Sequence, residues 1–240
     1  MNRALAALRR VLRFAWREGS LPYETYLRLS DVEPVRGEAL PRGRALQPAE
    51  LEALYGACAQ DVKPSGRRDG LVIGLLHASG LRAAEAAGLQ LEDVVNANLG
   101  ELLVTGKGGF GACASLGAAA PLLGAWLAIR GDDPGPLLLQ VRATGKIAPA
   151  GLCPRALFQV VRKRALEAGL RRTTAHDLRR TYATELLRAG NDHLLVARAL
   201  RHHDVRSLRS YDRRPAEEIA AAQRAAIHVP ASARSGGRNP

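Results

Sequence analysis

Apolar residues recur at helical intervals through most of this chain. Leu5, Leu8, Leu12 and the Ala15/Trp16 pair fall on one face between arginines, and Gly19 supplies a stop, so residues 3–18 read as an amphipathic helix whose apolar face needs a partner. The pattern breaks from Asp31 to Ala45, where DVEPVRGEALPRGRA carries two prolines, two glycines and alternating charges, the make-up of an exposed linker. A domain boundary near residue 45 follows. Periodicity resumes with Pro48 at the first position of a helix to about Gln60. Ser65 is placed to cap a second helix ending at Gly80, and Arg82 to Ala87 form a short third. Between residues 92 and 116 the character changes, and Glu101–Thr105 and Ala112–Leu116 become strand candidates on either side of a glycine-rich GKGGFG turn. Helices are then expected at about 118–129, 154–168, 175–188, 192–200 and 215–227, with a disordered tail over 230–240.

Composition adds a size and suggests a polyanionic partner. At 240 residues and 47% hydrophobic content the chain can bury one sizeable core and carry a small appendage. A formal charge of +12 and a pI near 10.5 favour nucleic acid, because neutralising phosphates releases their counterions. From Arg155 to Arg214, 14 Arg and one Lys stand against six acidic residues, a net of +9. Arginine in this excess suits bidentate phosphate contacts, and equally the codon usage of a GC-rich genome. Cys58, Cys113 and Cys153 are odd in number and form no CxxC pair, which points to neither a disulfide framework nor a zinc site and fits a reducing cytoplasm. No apolar run reaches the ~18 residues of a membrane helix, and the N-terminus lacks a signal-peptide core.

Cleaving a phosphodiester without a metal requires a nucleophile, positive charge on the non-bridging oxygens and a proton for the leaving oxygen. A free tyrosine, with a pKa of about 10, needs assistance to attack at neutral pH. Arginine stays charged and grips phosphate with two donors. In HDLRR, His176 and Arg179 share a helix face at i, i+3, and Thr174 with Asp177 forms a capping-box-like start, so the pair sits at a helix N-terminus that itself favours an anion. In LHASGLRAAEAAGL, Gly80 ends one helix, Arg82 opens the next, and Glu85 is spaced to orient the guanidinium.

Taken in order, Arg82 in HASGLRAAE, Lys107 in VTGKGG, His176 and Arg179 in HDLRR, His202 in LRHH and Tyr211 in RSYD resemble the active site of the tyrosine recombinases, the phage integrase family, and the agreement runs over residues 46–215. The resemblance implies a mainly α-helical catalytic domain with a small antiparallel β-sheet. It also implies DNA cleavage and rejoining through a 3′-phosphotyrosine formed by Tyr211. Arg82 and Arg179 would hold the phosphate, His176 would assist deprotonation of the tyrosine, His202 would hydrogen-bond the phosphate, and Lys107 would protonate the leaving 5′-oxygen. Glu85 is the supporting acid. No metal, ATP or other cofactor is called for. Lys146 in ATGKIA remains a rival for Lys107. Tyr182, at a position that is aromatic in the family for packing, is the rival for Tyr211. Arg201 departs from the family, which usually has a glycine in a left-handed, helix-ending conformation there.

By the same resemblance, residues 1–45 would be the last helix and linker of a helical core-binding domain, and 46–229 the catalytic domain with a C-terminal helix that docks on a neighbouring subunit. The partners would be double-stranded DNA and further copies of the chain, as a tetramer, at the nucleoid in the cytoplasm. Two alternatives are a truncated, non-catalytic DNA-binding protein or fragment of a larger recombinase, and a type IB topoisomerase-like nicking-closing enzyme.

Overall fold

A computed structural model describes residues 2–33, 43–105, 111–170 and 173–201. Two compact units part between Arg42 and Gly43, slightly upstream of the boundary expected near residue 45. The first holds α1 (Asn2–Arg17) and α2 (Tyr23–Ser30). Helix α2 was not expected: it has eight residues, starts behind Pro22 without a side-chain cap, and buries none of its residues. Aromatic packing anchors it instead, with Trp16 lying 5.4 Å from Tyr23 and 5.3 Å from Tyr26 by ring centroid, and Arg9 Nε donating to Ser30 O at 3.2 Å.

The second unit is built around α4 (Pro64–His77), which packs against α3 (Pro48–Ala59), α6 (Ala120–Arg130), α7 (Pro154–Glu167) and α8 (Ala175–Arg188). Its LVIGLL run is apolar on every side, and a helix of that kind is stable only when surrounded; every residue from Arg68 to Leu76 is buried. Ser65 does not cap α4. Pro64 takes the first position behind Lys63, and the Ser65 hydroxyl donates to Asp61 Oδ2 at 2.8 Å.

Charges also enter this interior, and they arrive paired. Arg164 of α7 donates to Asp69 Oδ2 (2.8 Å), Asp61 Oδ2 (2.5 Å) and Glu167 Oε2 (2.8 Å), and Arg68 takes Asp69 Oδ1 at 2.7 Å. The side chains of Arg164 and Asp69 are 2% and 1% exposed, so removing Arg164 leaves Asp69 Oδ2 buried without a partner, with Arg68 still on Oδ1.

Strands β1 (Val94–Asn96), β2 (Glu101–Thr105) and β3 (Gly111–Ser115) form an antiparallel sheet in that order, β2 and β3 pairing from Glu101↔Ser115 to Thr105↔Gly111. The predicted hairpin is therefore present, with alternate residues Leu102 and Val104 turned into the core. A second hairpin, β4 (Leu139–Val141) with β5 (Ile147–Gly151), was not anticipated. Its strands are short, and Pro149 within IAPAG lowers their strand signal. The fold is mainly α with small antiparallel sheets, two rather than one among the described residues.

Short helix α5 (Ala83–Gly88) follows α4, and α9 (His193–Ala199) closes the described chain, capped by Asp192 accepting from Leu195 N at 2.8 Å. Helices α8 and α9 share a small core of Ala183, Leu187, Val196, Ala197 and Leu200. The expected helix over 215–227 and the tail lie outside the described residues. Among those described, no helix is long and apolar enough to cross a membrane.

Candidate active site

Helix α4 ends at His77, and the chain turns through Gly80 at φ +58° before Arg82 caps α5. A Cβ on Gly80 would lie 2.4 Å from Tyr182 Cδ1, so only glycine lets the turn lie against that ring. Glu85, on the first turn of α5, reaches back to accept from Arg82 N at 2.9 Å and Arg82 Nη1 at 2.5 Å. Burial works to raise the Glu85 pKa. The Arg82 hydrogen bonds and the charge of Arg201 outweigh it and hold the carboxyl below its ordinary value, hence ionised.

The N-terminus of α8 carries the second half. The expected capping box is there: Asp177 Oδ2 accepts from Thr174 N (2.8 Å) and Thr174 Oγ1 (2.7 Å), and Thr174 Oγ1 accepts from Asp177 N (3.3 Å). The segment that opens the unit is fastened to the same helix, with Arg44 N donating to Asp177 Oδ1 and Leu46 N to Thr181 Oγ1, both at 2.9 Å. Gly43 approaches so closely that a Cβ there would stand 2.4 Å from Asp177 Oδ1 and 3.7 Å from His176 Cδ2. His176 is presented at the surface. Desolvation by its surroundings, with the Arg180 and Arg179 charges, pushes its imidazole below the ordinary value against the pull of Asp177. A neutral imidazole at neutral pH can accept a proton.

The two halves meet through Arg179, whose side chain is 4% exposed. Its Nη1 donates to Gly80 O and its Nη2 to Leu200 O at 2.6 Å, and Glu85 Oε2 stands 3.7 Å away. A third guanidinium joins them. Arg201 Nη2 lies 3.1 Å from Gly80 O and 3.3 Å from Glu85 Oε2. Arg82, Arg179 and Arg201 thus surround one carboxylate and leave a concentrated positive field with Arg82 exposed at its edge, an arrangement suited to a phosphate.

Sequence reasoning weighed Arg201 only as a backbone departure. Its side chain was missed because a contact from 201 to 85 leaves no local pattern. Tyr182 packs against Gly80, and burial pushes its phenol above the ordinary value, the opposite of what a nucleophile needs. Lys146 sits in the turn of the β4–β5 hairpin, where Gly145 approaches Pro64 at the start of α4. The Arg82 turn follows the other end of that 14-residue helix, a rise of about 21 Å away. Lys107, His202 and Tyr211 lie outside the described residues. Among those described, no group of three or more His, Cys, Asp or Glu is placed to hold a metal ion.

Residues 44–218 match the phage integrase family. The chain is 32% identical over 228 residues to tyrosine recombinase XerD of Caulobacter vibrioides, covering 91% of this chain and 72% of that protein. It is 33% identical over 184 residues to tyrosine recombinase XerC of Azotobacter vinelandii, covering 73% and 55%. The crystal structure of XerH site-specific recombinase bound to a palindromic difH substrate, a post-cleavage complex, superposes with a TM-score of 0.63 at 26% identity, over 82% of this chain and 57% of that one. The chain spans about half the length of several curated relatives that it matches.

Proposed function

Since this chain belongs to the phage integrase family, we propose that it cuts and rejoins duplex DNA at specific sites, with Tyr211 as the nucleophile. The Tyr211 oxygen attacks the scissile phosphorus, the bond to the 5′-oxygen breaks, and a 3′-phosphotyrosine and a free 5′-hydroxyl result. The ester keeps the energy of the broken bond, so rejoining needs no ATP. Arg82 and Arg179 hold the non-bridging oxygens, His176 accepts the tyrosine proton, His202 hydrogen-bonds the phosphate, and Lys107 supplies the proton to the departing oxygen. Lys107 is preferred to Lys146 because Lys146 belongs to the hairpin at the far end of α4. The partners are double-stranded DNA and, through the C-terminal helix, further copies of the chain in a tetramer, working in the cytoplasm at the nucleoid.

The observation that carries this reading is the convergence of Arg82, Glu85 and Arg179 from segments far apart in the chain, Arg179 bonding Gly80 at a separation of 99 positions. A helix-surface arginine with a local acid partner has no reason to meet a second, buried arginine. The test is covalent trapping on nicked duplexes drawn from a randomised library. The wild type forms an SDS-resistant adduct, Tyr211→Phe forms none, and Tyr182→Phe retains it. An adduct persisting in Tyr211→Phe, or mapping to Tyr182, refutes the assignment.

A further inference from the structure

Arg201 is the one non-glycine among the described residues with a positive φ, +54°. That backbone strains any L-amino acid with a Cβ, and glycine would take it freely. Four contacts hold the arginine there. Nη1 donates to Ala199 O at 3.0 Å, and Nη2 lies 3.1 Å from Gly80 O, 3.5 Å from Ser79 O and 3.3 Å from Glu85 Oε2. The side chain is 11% exposed, and its buried Nε has no hydrogen-bond partner among the described residues. A strained backbone, a desolvated guanidinium and an unsatisfied donor are three costs gathered on one residue. What they secure is a link from the end of α9 to the turn that carries Arg82.

We propose that Arg201 is a positioning residue of the strand-cleaving site: it fixes the Gly80–Arg82 turn to the segment that runs into His202, and it offsets the Glu85 carboxylate. This rests on the reading of the chain given above. The argument is electrostatic as well as geometric. Glu85 is ionised and bonds Arg82, so by itself it would cancel one of the two charges offered to the phosphate. With Arg201 on the same carboxylate, Arg82 and Arg179 meet a phosphodiester with their charge undiminished. The planar fork of arginine spans carbonyls and carboxylate together, which the single ammonium of lysine does not.

Single-turnover adduct formation on saturating nicked duplex tests this, beside DNA affinity by gel shift and amide exchange at Leu81 and Ala86, the backbone donors on either side of Arg82. Arg201→Gly, which relieves the backbone strain, is expected to cleave at least about tenfold more slowly with less than about threefold change in Kd, since misplaced groups cost rate more than binding. Arg201→Lys is expected to fall between the two. On a duplex with an uncharged methylphosphonate at the scissile position the Arg201→Gly defect shrinks, because Glu85 then opposes no anion. A purely structural role predicts the same defect on both substrates. Wild-type rates in Arg201→Gly, or a loss wholly in Kd, overturn the proposal. A wild type that forms no adduct on any duplex defeats the strand-cleaving reading instead. The exchange measurement then still decides the link, since unchanged protection at Leu81 and Ala86 in Arg201→Gly overturns it and lost protection supports it.

Discussion

Gly80→Ala is the substitution that tests most of this structure at once. Two penalties add. The residue sits at φ +58°, which costs an alanine about 1–2 kcal/mol. Its new methyl would meet Tyr182 at 2.4 Å from Cδ1, 2.7 Å from Cε1 and 3.1 Å from Cγ, a collision with the body of a ring, for which overpacking costs of about 1–3 kcal/mol are typical. The sum is about 2–5 kcal/mol, and at roughly 2–4 °C per kcal/mol for a unit of this size the melting temperature falls by several degrees at the least. The assay is urea unfolding followed by the fluorescence of Trp126, which is fully buried with Nε1 donating to Leu137 O at 2.8 Å. A Trp16→Phe background silences the tryptophan of the other unit. The two penalties separate in a Tyr182→Ala background, where the collision is gone and only the backbone part of about 1–2 kcal/mol should remain. A loss below about 0.5 kcal/mol, or an equal loss in both backgrounds, refutes the reasoning. Because Gly80 O accepts from Arg179 and Arg201, adduct formation per folded molecule should fall as well.

Arg164→Ala leaves Asp69 Oδ2 buried without its partner, Arg68 holding only Oδ1, and is expected to cost about 1.5–3 kcal/mol in urea unfolding. The same substitution should raise the midpoint of acid unfolding. Burial favours a higher Asp61 pKa, but bonds from Arg164, Ser65 and the Lys63 amide hold it at about 2, so its contribution is complete above the ordinary 3.8 and is lost as pH falls through about 2. With the His176 imidazole held below its ordinary value, the adduct-forming rate should fall toward acid pH with a midpoint below 6.5, a limb that His176→Gln abolishes; a midpoint above 6.5 would contradict the assignment. Lys107→Ala should slow cleavage of ordinary DNA strongly and of a 5′-bridging phosphorothiolate weakly, since a thiolate leaves without a donated proton; equal slowing moves the acid role elsewhere.

What the sequence disclosed, and what it did not, divides along the range of the interactions. The capping box at Thr174 and Asp177 and the Arg82–Glu85 pair span three residues each and were legible, as were the long helices whose apolar rows repeat. Helix α2 was not, because its order comes from Trp16 stacking on Tyr26 rather than from a buried stripe. The β4–β5 hairpin was hidden by its short strands and by Pro149. Ser65 was assigned to the cap of α4 because a hydroxyl near a helix start usually serves there, but a neighbouring Asp61 gave it another acceptor. Arg201 shows the limit most clearly. The chain revealed an unusual residue, and only three-dimensional structure shows that its charge ends 3.3 Å from Glu85.

The fastening of Gly43, Arg44 and Leu46 onto α8 has a consequence for how such proteins can be rearranged. Those few residues belong to the second unit by their bonds, although by sequence they close the proline- and glycine-rich linker. An engineer exchanging upstream modules would be free to lengthen or replace the chain up to Arg42. A junction placed three residues later would exchange Gly43 for a residue whose Cβ stands 2.4 Å from Asp177 Oδ1, the oxygen that the amide of residue 44 meets. The cut site in a chimera is therefore set by one glycine, and two fusions with the same parts would differ in activity according to which side of Gly43 they were joined.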